Sequence, residues 1–154
     1  MIVLKLLVCV DGSKQGWKAL NKAIEIASGC SINEVTLIHV YESVEKNYWI
    51  ATGEGYYPTE EDFEKLKGLQ QNMAEKRKKM LDECAAKFKE EGINPGILLE
   101  EGHPAHTIAR IADDGNYDMI IMGNRGLGGL KKIFLGSVSN AVIQETKASV
   151  LVVK

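Results

Sequence analysis

Five short aliphatic runs, at 2–10, 35–41, 97–99, 119–122 and 149–153, set the limits on what this chain folds into. The longest, Ile2-Val-Leu-Lys-Leu-Leu-Val-Cys-Val10, is too unbroken for a strand with one wet face and too short to cross a membrane. Strands of this composition are covered on both sides, as in parallel sheets. Between the runs, apolar residues return at helical spacing. Ser13 is placed to cap a helix over about 14–28 that aligns Trp17, Leu20, Ile24 and Ala27, with Gly29 supplying a left-handed stop.

Thr59-Glu-Glu-Asp62 has the capping-box pattern and opens a long charged helix. Phe63, Leu66, Met73, Met80, Cys84 and Phe88 mark one of its faces, and Gly92 ends it. His103-Pro104 opens another helix with Pro in its first turn, and Ser137 to about Lys147 reads as the last. Residues 42–58 show no periodicity and are read as a long loop carrying Tyr48, Trp49, Tyr56 and Tyr57. Those aromatics either pack the loop or form a lid or contact surface. Strands alternating with helices predict a doubly wound α/β fold. The expectation is one domain over 1–154, with a five-stranded parallel sheet in the order 3-2-1-4-5 and helices on both faces. Ligands of such sheets bind at the carboxyl ends of the strands, where the order reverses.

Composition narrows the function. Nineteen Lys and Arg against 21 Asp and Glu leave a formal charge of −2, without the basic excess of a nucleic-acid binder. Cys9, Cys30 and Cys84 follow no paired spacing and read as residues of a reducing compartment rather than disulfide or zinc ligands. The first run lacks a basic leader and a small-residue cleavage site, so a cytoplasmic, non-membrane protein is expected. His103 and His106 lie three apart at a helix start without a third ligand of fitting spacing, and His39 reads as a hydrogen-bonded core residue.

The chemistry is concentrated in Met122-Gly-Asn-Arg-Gly-Leu-Gly-Gly-Leu-Lys-Lys-Ile-Phe-Leu-Gly-Ser-Val-Ser139, which leaves the fourth strand and enters the last helix. Glycines let backbone N–H groups approach a phosphate, and a helix N-terminus carries about half a positive charge. Gly136, Ser137, Val138 and Ser139 offer N–H groups and two hydroxyls, while Arg125, Lys131 or Lys132 supplies a cation. The pattern is neither GxxxxGK[ST] nor a GxGxxG following the first strand.

Gly123, two residues, Gly126, nine residues, Gly136 and then Ser137 resembles the ATP-binding signature of the universal stress protein family at every position. The likeness spans the chain: five strands and four helices, a first strand running into Asp11-Gly12-Ser13, and a Val-rich last strand. Ala148-Ser149 stands where the family commonly has Pro, away from the signature. The resemblance implies that Asp11 and Val40 neighbour adenine, that Met122 and Gly123 neighbour ribose, and that Arg125, Gly126, Gly136, Ser137, Val138 and Ser139 line the phosphates. It implies ATP with Mg²⁺ or Mn²⁺, a regulatory role in a stress response, and a homodimer paired through the last strand. Read from its own residues, Asp11 serves equally well as a helix cap or turn former. The competing enzyme reading is a slow ATPase or autophosphorylating protein, for which the motif offers a cation but no evident base.

Overall fold

The computed structural model describes residues 3–124 and 135–154. Strands β1 (Lys5–Cys9), β2 (Glu34–Tyr41), β3 (Gly96–Glu101), β4 (Met119–Gly123) and β5 (Ser149–Val153) form one parallel sheet in the order β3-β2-β1-β4-β5, as the alternation predicts. The helices are α1 (Lys14–Gly29), α2 (Val44–Thr52), α3 (Glu60–Glu90), α4 (Pro104–Asp114) and α5 (Ser137–Glu145). Period-two alternation sorts β1, β2, β4 and β5 between two cores. Leu6, Val8, Val10, Val35, Leu37 and Ile121 pack with Leu20 of α1 and Phe88 of α3. Leu7, Ile38, Ile120 and Met122 pack on the opposite side with Ile108 of α4 and Val142 of α5. Both faces of these four strands are covered, which explains their unbroken apolar runs, whereas Ile97 and Leu99 of the edge strand β3 stay exposed.

Three expectations change. Gly29 stays helical, and the left-handed residue beyond α1 is Ser31, with φ 54. Gly92 fills that role after α3, with φ 76. Residues 44–52, read as loop, form α2, so the chain has five helices among its described residues and not four. Ser43 caps α2 by accepting from the Lys46 N–H at 3.2 Å, yet none of its residues is buried. A helix without a buried stripe has no hydrophobic period to read. Trp49 instead meets the edge of Phe63 on α3, with ring centroids 5.5 Å apart.

The third change concerns α3. Its 31 residues span about 46 Å, whereas a five-residue strand spans about 17 Å. Only its C-terminal half, through Leu81, Cys84, Ala85 and Phe88, is buried on the sheet. One turn earlier, Met80 lies beside Gly12 and the Arg77 guanidinium sits 3.8 Å from the Tyr41 ring centroid, both at the carboxyl end of the sheet. The preceding turns project past that end, leaving Phe63 and Met73 of the expected inner face exposed, while Leu66 of that face is buried. No helix among the described residues is long and apolar enough to cross a membrane.

Candidate functional site

The chain leaves β1 toward β2 on one side and reaches β4 on the other, so the order reverses between β1 and β4. Asp11 lies just beyond β1. Its Oδ1 accepts from the Ser13 N–H at 2.9 Å and the Ser13 hydroxyl at 2.5 Å, while Ser13 Oγ accepts from the Gly16 N–H at 3.0 Å and caps α1. Gly12, with φ 78, makes the left-handed turn between them. Asp11 therefore does shape the turn, as its own chemistry allowed, with Oδ1 committed to Ser13. Val40 lies near the end of β2, packed toward the α4 side. His39 points the other way and donates from Nδ1 to the Val10 carbonyl at 2.7 Å, a satisfied residue of the sheet.

Met122 and Gly123 end β4. Gly123 is pressed against α1: a Cβ there would lie 2.8 Å from the Gln15 carbonyl carbon. Asn124 follows and is fixed on both sides. Its N–H donates to Val153 at 2.9 Å, and its carbonyl accepts from the Gly136 N–H at 2.6 Å and the Ser139 hydroxyl at 3.1 Å. These bonds bring Gly136 and α5 back against the end of β4. Arg125 and Gly126, with Lys131 and Lys132, lie outside the described residues.

Ser13, Ser43, Thr59 and His103 each cap a helix with a side chain. Gly136 opens α5 without a side-chain cap. The first N–H groups of α5, from Ser137, Val138 and Ser139, have no partner within the helix and carry the positive end of its dipole. Ser139 is only 2% exposed and its hydroxyl is turned onto the carbonyl oxygens of Asn124 and Gly136, each at 3.1 Å, so Ser139 offers the crevice its backbone rather than its hydroxyl.

His103 Nδ1 accepts from the His106 N–H at 3.4 Å, so this pair makes a helix start. No group of three His, Cys, Asp or Glu among the described residues is arranged to hold a metal.

A sequence profile of the universal stress protein family matches residues 3–154. The chain belongs to that family. Universal stress protein YxiE of Bacillus subtilis is 32% identical over 150 residues, covering 97% of this chain and 98% of its own. Universal stress protein MJ0577 of Methanocaldococcus jannaschii is 31% identical over 155 residues, covering 97% and 94%. A solved structure of MJ0577 superposes with a TM-score of 0.78 at 28% identity, over 100% of this chain and 97% of that one. Among more distant neighbours that share the fold, an Arabidopsis thaliana family member was solved with AMP bound, at TM-score 0.65 and 20% identity, covering 98% and 91%. Others were solved with cAMP and dAMP, at TM-scores of 0.63 and 0.62 and 22% identity, covering 98% or more of both chains.

In this universal stress protein, two groups at the site escape the sequence reading. Asn124 Oδ1 and Gln15 Oε1 are buried without a hydrogen-bond partner. Asn124 occupies one of the two unconstrained positions between Gly123 and Gly126, and Gln15 is an ordinary residue of a first helical turn, so neither carries a pattern.

Proposed function

We propose that this protein is an ATP-binding regulator of a stress response, holding the nucleotide with Mg²⁺ or Mn²⁺ in the crevice between β1 and β4. The observation that carries this reading is the uncapped N-terminus of α5, held against the end of β4 at the reversal of strand order. An anion is the natural partner for such a helix end. The donor set fits the group. Backbone N–H groups of Ser137, Val138 and Ser139 suit phosphate oxygens, and Arg125 supplies positive charge from the loop. Met122, Gly123, Asp11 and Val40 are left for the ribose and adenine. A divalent ion would neutralise the phosphate chain from the solvent side.

Support comes also from the adenine nucleotides bound in three fold neighbours. ATP over AMP rests on the complete signature spacing of Gly123, Gly126, Gly136 and Ser137. In this reading the signal is nucleotide occupancy, not turnover. Gly136 has φ −69 and ψ 165, extended backbone that any residue adopts. Replacing Gly126 and Gly136 together by Leu is expected to obstruct the phosphate path, and the extended backbone at Gly136 accepts a side chain without strain. Calorimetry is expected to show ATP binding to the native chain and none to the folded double variant, and equal affinities would overturn the placement.

A further inference from the structure

Among the described residues, the buried side-chain polar atoms lacking a hydrogen-bond partner are two carboxamide oxygens, Asn124 Oδ1 and Gln15 Oε1. Buried polar atoms are nearly always paired, so two exceptions beside one strand end call for a physical reason. They share a place. Gln15 presses its backbone against Gly123, and Asn124 is the next residue after Gly123. Asn124 is 6% exposed, and its own N–H and carbonyl are spent on Val153, Gly136 and Ser139. Its position is thereby set by β5 and α5, leaving the carboxamide oxygen as its unspent acceptor.

The chemistry of these atoms is selective. A carboxamide oxygen only accepts, so it matches an O–H, an N–H or a cation and repels a phosphate oxygen. The phosphates have their own partners in the N–H groups of α5. A nucleotide carries its ribose one ester bond from the first phosphate, and the end of β4 lies directly beside α5, joined by the 2.6 Å bond from Gly136 to Asn124. A nucleotide whose phosphates lie on α5 would bring its sugar toward Asn124 and Gln15, and the donors of a sugar are hydroxyls.

We infer that Asn124 and Gln15 read the ribose, each accepting a hydrogen bond from a sugar hydroxyl through its side-chain oxygen. This inference rests on the adenine-nucleotide reading above and adds the residues that discriminate ribonucleotide from deoxynucleotide. A site built around a hydroxyl rejects the analogue that lacks it, because its own polar groups are then left unpaired.

The experiment compares ATP, 2′-deoxy-ATP and 3′-deoxy-ATP by calorimetry on the native chain, Asn124→Leu and Gln15→Met. Asn124→Leu keeps the branched outline and Gln15→Met the unbranched reach, and both remove the carboxamide and its acceptor. The native chain is expected to prefer ATP tenfold or more over at least one deoxy analogue. Each variant should weaken ATP several-fold and narrow that preference, while its ligand-free Tm stays level or rises because an unpaired buried oxygen is gone. A residue that only supports the fold would instead lower the ligand-free Tm and weaken all three nucleotides equally. That outcome, or unchanged ATP affinity in both folded variants, overturns the ribose assignment and leaves ATP binding standing. A native chain that binds none of the three nucleotides overturns both.

Discussion

Gly123 and Gly136 belong to one spaced motif, yet they are glycines for different reasons. At Gly123 a Cβ would meet the Gln15 carbonyl carbon at 2.8 Å and its oxygen at 2.9 Å, so α1 and β4 touch only because no side chain intervenes. Gly123→Ala should force the helix outward at a cost of about 1–3 kcal/mol, typical of overpacking. For a chain of this length that lowers Tm by roughly 2–10 °C. Thermal denaturation without nucleotide checks it, and an unchanged Tm would show that α1 yields freely. Gly136 meets no backbone demand, since its φ of −69 suits any residue, and under the proposed function its missing side chain leaves room for phosphates in front of α5. Spacing exposed the motif in the sequence but not this division of labour, because close contact between α1 and β4 joins residues more than a hundred positions apart.

Asp62 organises the elements that the sequence left obscure. It completes the Thr59 capping box and accepts from the Tyr56 hydroxyl at 2.6 Å and the Tyr48 hydroxyl at 3.2 Å, fastening α2 and its following turn to the start of α3. These bonds, from Tyr56 first and then Thr59, hold its carboxyl well below the ordinary 3.8. A depressed carboxylate contributes stability above its unfolded pKa and loses it as pH falls through the folded value. The docking of α2 should therefore persist at pH 4 and give way only in stronger acid. With Trp17→Phe isolating Trp49, fluorescence should report an unchanged environment down to pH 4. Asp62→Asn should loosen α2 at neutral pH, and a Trp49 signal identical to the parent would refute the latch. The capping box, β5 and the first turns of α1 and α4 were legible because caps and aliphatic runs are local signals. The helix α2 was not, because it is held by aromatic edges and a carboxylate from another element rather than by a stripe of its own.

At the scale of the molecule, the sheet order leaves β5 with β4 as its sheet neighbour and the other edge open among the described residues. Its residues are half-buried, Leu151 and Val153 toward α1 and Val150 and Val152 toward α5. An apolar strand edge invites a second strand, and pairing about a two-fold axis completes both edges at once. We expect a homodimer joined along β5, and Leu151→Pro with Val153→Lys should make it monomeric by removing a ladder donor and opposing charges across the axis. Light scattering at micromolar concentration decides this: a monomeric native chain, or a folded variant still dimeric, excludes the edge interface. The reach of α3 past the sheet has a different consequence, for how a chain like this tolerates insertion and deletion. Between Leu66 and Leu81 no residue of α3 is fully buried, so that stretch is anchored only at its two ends. Adding or removing two whole turns there moves the start of α3 by about 11 Å along its axis with its facing nearly constant, and because only two residues separate α2 from β2, the segment between α2 and α3 has to change length with it. Strand register and both cores stay where they are, so the projection can change length without repacking the sheet.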